Sequence, residues 1–474
     1  MTELRPYQQK SIFALRSEIL NGKTRLILCA PTGSGKTIMF SFMLQSALAK
    51  NKKCMVLTHR TELLTQAGGV LNNLNCGVVN LDAKLKTVPK NALMYVAMTQ
   101  TLIRRVKNKE YLDIINDLDL LIIDESHLQN FNSIQKHVQD KTIVIGATAT
   151  PFRYGNQDSL HLFYQTIVEE IRIKELINLG FLATPRSFGI EVDLNGVITK
   201  GLDYDAESLG AFYNENKLYD GVYENYTRLT PNKKAIIFAP NIASSVMLVQ
   251  QFKAKGLPIQ HLDGNTPEQE RKAILNWFET TPNALISNVG ILTAGYDCPD
   301  IDVVILYRAT KSLSLFLQMV GRGSRTTATK KEFTILDFGN NIHRFGFWEN
   351  DRDWALHKKR KREGTAPVKD CPECNAILPA SVMLCQYCGY VFEKSQKEVE
   401  ADLIVELQQL TPQQLKKETL VADFRKLELI ALAKGYKGGW IFHQLKTISD
   451  IQEYAKYKGY SGKWVNYQIN AKRD

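Results

Sequence analysis

Residues Ala30 to Thr37 read APTGSGKT, and Leu120 to Leu128 read LLIIDESHL. The octet follows the apolar run RLILC and precedes IMFSFMLQSAL. Gly33 and Gly35 let the backbone wrap so that its N–H groups face phosphates at a helix N-terminus. The octet fits the phosphate-cradling P-loop, with Ala30 in place of the first glycine. Thr32, Gly33, Ser34, Gly35, Lys36 and Thr37 are therefore expected nucleotide contacts. Lys36 would meet the β- and γ-phosphates, and the Thr37 hydroxyl would ligate Mg²⁺. Asp124 ends an apolar run. Its carboxylate should emerge at the C-terminal edge of a sheet, beside the P-loop, and hold the same Mg²⁺. Glu125 follows and can position or deprotonate an attacking water. The chemistry expected of these residues is ATP hydrolysis.

A second group could bind metal. Cys371 and Cys374 form one Cys-x-x-Cys pair, ten residues follow, and Cys385 and Cys388 form another. Each pair suits a turn that aims two thiolates at one tetrahedral Zn²⁺. Asn375 and Gly389 follow the pairs, and both tolerate the positive φ such turns use. With four protein ligands the zinc would fold the module and perform no catalysis. The other cysteines, Cys29, Cys54, Cys76 and Cys298, stand among apolar residues and read as buried thiols of a reducing compartment.

These groups need a scaffold. The chain has 474 residues, enough for about three domains. The runs RLILCA, KCMVLT, ALMYVAM, LDLLIID and TIVIGAT alternate with longer helical stretches. Runs apolar on both faces are the signature of buried parallel strands. They predict a doubly wound α/β domain over 1–170. A less regular stretch, 171–231, reads as a connector with some added structure. The runs KAIIFAP, PIQHLDG, NALISNV, IDVVILY and EFTILDF predict a second α/β domain over 232–345. A basic linker (346–365, with KKRKR at 358–362), a zinc ribbon-like module (366–395) and a helical tail (396–474) complete the expected order.

The net charge is +11, which favours a polyanionic partner. No apolar run reaches the ~18 residues of a membrane span. The start MTELRPYQQK is polar and lacks the apolar core of a signal peptide. A cytoplasmic protein is expected. The DFG at 337–339 lacks any His-Arg-Asp partner in the chain and reads as a strand end, not as a kinase element.

Over residues 4–345 the chain resembles superfamily 2 helicases of the DEAD/DEAH-box kind. DESH is similar to their Asp-Glu-x-His box, and QMVGRGSR (318–325) to their Gln-x-x-Gly-Arg-x-x-Arg. LRPYQ resembles the adenine-reading element, THRTELLTQ and VAMTQTL the strand-contacting motifs, and ATATP the coupling motif. IIFAP and NVGILTAGYDCPDID resemble second-domain motifs. The resemblance implies two tandem RecA-like domains with ATP between them. It implies that Arg5 and Gln8 contact the base, that His127, Gly295 and Asp297 serve the nucleotide, and that Gln318, Arg322 and Arg325 form the opposite catalytic wall. His59, Arg60, Thr99, Gln100 and Thr293 are the implied nucleic-acid contacts. Ser126 stands where Ala is commoner.

The chain ends with one phrase written twice, KGYKGGWIFHQ (434–444) and KGYSGKWVNYQ (458–468). Residues 431–474 hold eight Lys or Arg against three Asp or Glu. Two readings coexist. Trp440 and Trp464 pack a small helical repeat, while Lys434, Tyr436, Lys458 and Tyr460 face outward to track phosphates and stack on bases. A helicase core followed by four cysteines and this phrase resembles RadD-like bacterial DNA helicases. The resemblance implies ATP-dependent movement on single-stranded or branched DNA in repair, recombination or replication. Repair or single-strand-binding proteins would be further partners. The alternatives are an RNA helicase and an ATP-gated adaptor that binds nucleic acid without unwinding.

Overall fold

The structure is a computed structural model. It describes residues 4–58, 78–81, 89, 92–128, 131–152, 160–190, 192–215, 218–293 and 296–356. Beyond these it describes 368–370, 377–379, 384, 389–391, 408–409, 424, 427–428, 431, 439–445 and 447–470. The chain divides into two compact units. One comprises 1–186, 194–339 and 348–362; the other comprises 187–193, 340–347 and 363–474.

The first unit holds two α/β domains. Strands β1 (Arg25–Cys29), β2 (Cys54–Thr58), β3 (Val78–Leu81), β4 (Met94–Met98), β5 (Leu120–Asp124), β6 (Ile143–Thr148) and β7 (Thr166–Val168) form a sheet in the order β3-β4-β2-β5-β6-β1-β7. Its described pairings are parallel, as the two-sided apolar runs predict. Helices Pro6–Leu20 and Lys36–Leu48 cover one face, where Leu15, Leu28, Met39, Leu44 and Val56 bury. Phe131, Ile134, Tyr111 and Tyr164 fill the other. Strands β3 and β7 lack a long apolar run and escape a reading by pattern.

The stretch expected as a connector is mostly part of the second domain. Strand β8 (Thr184–Gly189) joins the second sheet. A hairpin of β9 (Thr199–Lys200) and β10 (Asp203–Tyr204) follows, then helices Ala206–Glu215 and Leu218–Leu229. The Asp203 carboxylate accepts from the Thr310 hydroxyl and the Lys311 amide, both at 2.6 Å. Tyr223 and Tyr226 pack against Phe252 at 5.4 and 6.3 Å between centroids. Its polar turns mask helices with one buried stripe.

The second sheet adds β11 (Ala235–Phe238), β12 (Ile259–Leu262), β13 (Leu285–Asn288), β14 (Val303–Leu306) and β15 (Glu332–Asp337), in the order β12-β13-β11-β14-β15-β8. DFG closes β15, where the Gly339 amide donates to Asp337 at 3.0 Å. A Ser-His-Asp line in this domain is structural. His261 meets Ser245 Oγ at 2.7 Å through Nδ1 and Asp263 at 3.2 Å through Nε2. Ser245 and its neighbour Ser287 are fully buried, so no substrate can reach the hydroxyl. The line stitches helix Ile242–Ala254 to β12 and β13.

The second unit has its own apolar cluster. Phe424, Ala431, Ile441, Leu445, Ile451 and Tyr454 bury together, with Trp440 and Trp464 packed against them. Helices Gly439–Gln444, Ile448–Lys458 and Gly462–Asn470 carry the doubled phrase. Gly459 ends the middle helix at φ 73°, a left-handed C-cap that glycine adopts without strain. Two short antiparallel features precede this cluster: β16 (Val368–Asp370) pairs with β17 (Ile377–Pro379), and Leu384 bridges Val391. Strand β18 (Gln408–Gln409) pairs with Phe188 and Gly189. Cys29, Cys54 and Cys298 are buried cysteines outside any disulfide, as expected. Cys76, KKRKR and the four clustered cysteines lie outside the described residues. No described helix is long and apolar enough to cross a membrane.

Candidate ATP-binding and hydrolysis site

The P-loop is where the octet predicts it, between β1 and helix Lys36–Leu48. Gly33 and Gly35 adopt φ 85° and 79°, in the left-handed region. Space also demands glycine. A Cβ on Gly35 would stand 2.5 Å from Gln8 Nε2, and one on Gly33 would stand 2.8 Å from Leu182. No described side chain caps the helix, so its first N–H groups and positive dipole end suit phosphate. Ala30 is fully buried and its amide donates to Thr148 at 3.0 Å, a role that needs no glycine.

Lys36 Nζ donates to the carbonyls of Ala30 (3.0 Å) and Pro31 (3.3 Å). Burial pulls its pKa below the ordinary value, and the Glu125 and Asp124 carboxylates oppose that shift. Asp124 ends β5, in register with Ala147 of β6. Glu125 then turns into left-handed backbone at φ 49°. A non-glycine residue there stores strain, and such strain gathers at functional sites. Ser126 is fully buried against β6; a Cβ on Gly146 would meet its Oγ at 2.6 Å, so only a small residue fits the third place of the box.

The base-reading element grips the same loop. Gln8 Nε2 (3.0 Å) and Tyr7 Oη (2.8 Å) both donate to the Ser34 carbonyl, while Gln8 Oε1 accepts from the Arg5 amide at 3.0 Å. The Arg5 guanidinium lies over Phe181 at 4.2 Å. Tyr7 and Phe181 belong to this corner although motif matching assigns neither.

The second domain supplies the opposite wall. Gln318, on helix Leu313–Val320, donates to Glu125 Oε2 at 3.3 Å. A relay runs beside it. His127 Nδ1 meets Thr148 Oγ1 at 2.8 Å and Glu125 Oε2 at 3.4 Å. Its Nε2 meets Ser314 Oγ at 3.1 Å, and Ser314 meets Thr150 Oγ1 at 2.7 Å. His127, expected at the nucleotide, thus joins the DESH box, the ATATP motif and the second domain. Ser314 carries no motif signal and is visible only in the structure.

Arg322 is buried and donates to the Tyr296 carbonyl. It lies close enough to Lys36 to repel its charge. Arg325 forms an ion pair with Asp297, and burial lowers its pKa to about 10. Asp297, expected at the nucleotide, and Arg325, expected on the catalytic wall, therefore hold each other. Gly321 comes so near the P-loop that an added Cβ would stand 2.9 Å from Thr32 Cβ. Gly295 lies outside the described residues.

Both walls thus meet within the first unit, and much of the chain is similar to known proteins. The family described as type III restriction enzyme, res subunit, matches residues 1–153, and the helicase conserved C-terminal domain matches 217–327. The chain belongs to the superfamily 2 helicases. An uncharacterised protein family, UPF0547, matches 369–394. A 51.5 kDa protein of a Lactococcus phage is 28% identical over 82% of this chain and 83% of its own length. IRC3 of Saccharomyces cerevisiae, provisionally named an ATP-dependent helicase, is 30% identical over 71% of this chain; the chain spans 51% of it. A fragment assigned to the HsdR subunit of a Vibrio vulnificus type I restriction enzyme shares the fold, with a TM-score of 0.57 at 22% identity over 72% of this chain and 65% of its own. More distant relatives are named as type I restriction subunits and as ATP-dependent RNA helicases.

The nucleic-acid residues expected of this helicase are less uniform. Gln100 is exposed, but Thr99 is buried and its hydroxyl donates to the Thr58 carbonyl at 3.0 Å. The Thr293 hydroxyl donates to the Gly290 carbonyl at 3.0 Å. Both hydroxyls are thus engaged with main-chain carbonyls. His59, Arg60, Lys434 and Tyr436 lie outside the described residues. Lys458 does not stand free for phosphate, because its amine pairs with Glu428 at 2.8 Å. Tyr460 is 43% exposed, with its ring 4.5 Å from Trp464.

Proposed function

We propose that this superfamily 2 helicase hydrolyses ATP to translocate on DNA or separate its strands. The contact between Gln318 and Glu125 carries the reading, because it places the water-positioning carboxylate of one domain against the second domain. ATP with Mg²⁺ would sit on the P-loop, with Thr37 and Asp124 toward the metal and Lys36 toward the phosphates. Arg322 and Arg325 are the cations available for charge on the γ-phosphate. An arginine in that role is worth about 10³–10⁵ in rate. Closure then completes the site and hydrolysis releases it, which moves a strand held across both domains.

DNA is favoured by the match to a restriction-enzyme family, by the restriction-subunit relatives and by the net charge of +11. Relatives named as RNA helicases support the rival substrate. ATPase activity measured with single-stranded DNA, duplex, fork and RNA separates the two. Stimulation by RNA alone overturns the DNA reading. Stimulation by DNA with no strand displacement or translocation leaves the ATP-gated adaptor.

The four clustered cysteines fit zinc by their surroundings. Cys371 and Cys374 fall in sequence between β16 and β17, which pair antiparallel. Cys385 and Cys388 fall between the bridged residues Leu384 and Val391, and Gly389 has φ 78°. Each thiol pair thus falls in sequence between antiparallel partners, and a tetrahedral Zn²⁺ would tie the two pairs together. About one zinc per chain by elemental analysis is the expected result; protein purified without chelator and free of metal refutes it.

A further inference from the structure

The stretch expected as a basic linker begins with ordered packing in the first unit. Trp348 is 1% exposed; its Nε1 donates to the Leu317 carbonyl at 3.2 Å, and its ring stands edge-on to Phe333 at 5.9 Å. Leu317 directly precedes Gln318. Arg352 is buried and closes the turn by donating to the carbonyls of Trp348 (2.9 Å) and Asn350 (2.8 Å). Asp351 and Asp353 pair with Arg172, just past β7, at 3.9 and 3.4 Å, and the segment then reaches the first domain, where Leu356 packs on the cluster of Phe131 and Tyr164. A small cavity lined by Cys29, Pro31, Thr32, Leu317 and Trp348 lies between this segment and the P-loop.

We propose that residues 348–356 form a strap that sets the Gln318 helix against the P-loop wall, with Trp348 as a positioning residue for hydrolysis. The strap is anchored in both α/β domains and passes beside the loop they close upon. Its anchors are unequal. Asp351 and Asp353 are 54% and 87% exposed, and ion pairs that open to solvent hold little. The buried indole and Leu356 therefore do most of the holding. Trp348 touches the carbonyl next to Gln318 and would act through that side chain, not on the nucleotide.

The strap rests on the proposed ATPase, so the test has one readout that needs no activity. Trp348→Phe keeps the ring against Phe333 and removes the N–H donor. Amide hydrogen exchange over Leu313–Val320 should speed up in this variant. Nucleic-acid-stimulated kcat should fall about fivefold to tenfold, with ATP affinity near that of the wild type. Gln318→Ala and the double variant should then match each other, because residues acting as one unit are non-additive. Leu356→Ala, at the other anchor, should reproduce the kcat loss if Trp348→Phe fails to fold. Unchanged exchange in Trp348→Phe overturns the strap. So does wild-type kcat in the strap variants, or additive losses with Gln318→Ala. A wild-type protein without ATPase overturns the proposed function instead, and the exchange measurement still decides the strap.

Discussion

The Gln318 amide lies 3.3 Å from the Glu125 carboxylate, and the two side chains belong to different α/β domains. Hydrolysis should therefore fail when either wall is lost. Lys36→Ala, Glu125→Gln and Arg325→Ala are each expected to reduce turnover by about 10²-fold or more. Glu125→Gln should still bind ATP, since the phosphate and Mg²⁺ ligands remain. Steady-state ATPase and a fluorescent-nucleotide titration check both parts. Near-normal turnover in Arg325→Ala would remove the closing cleft from the mechanism.

Gly321 faces Thr32 with no room for a methyl group. Gly321→Ala should push the second domain off the P-loop, at an overpacking cost of about 1–3 kcal/mol. The expected outcome is a lower kcat with unchanged ATP binding to the open form. A variant as fast as the wild type would show that this approach is not part of the active state.

Ser314 joins His127 to Thr150. Ser314→Ala removes two hydrogen bonds worth about 0.5–1.5 kcal/mol each. It should lower strand movement per ATP more than ATP hydrolysis itself. Parallel assays of ATPase and displacement give the ratio, and equal losses in both would argue against a coupling role.

His343 is 5% exposed, and burial lowers its pKa to about 4 from the ordinary 6.5. Between those values the unfolded chain binds a proton that the folded chain does not. Stability should be full above about pH 6.5 and fall as the pH drops toward 4. The loss between pH 7 and pH 5 should approach about 2 kcal/mol. Urea unfolding at both pH values should show a steeper decline for the wild type than for His343→Leu. Parallel declines would remove His343 as the cause.

The sequence by itself marked the residues expected to do the chemistry. Lys36, Thr37, Asp124 and Glu125 were legible because phosphate and Mg²⁺ demand those residue types at sheet edges and in a glycine-bearing turn. Ten strands were legible because parallel strands buried on both faces leave long apolar runs. Strands β3, β7 and β8 were not, since short edge or mixed-burial strands leave no such run. Only the tertiary structure decided how the walls meet. Ser314 and Gly321 matter through neighbours more than 150 residues away and Trp348 through Leu317, 31 residues back, and a lone serine, glycine or tryptophan carries no local mark of that. Lys458 shows the same limit in reverse: its type and spacing promised a free cation, and Glu428, distant in sequence, holds it in an ion pair. Residue type and spacing specify what a side chain can do; packing between segments far apart in the chain specifies what it meets.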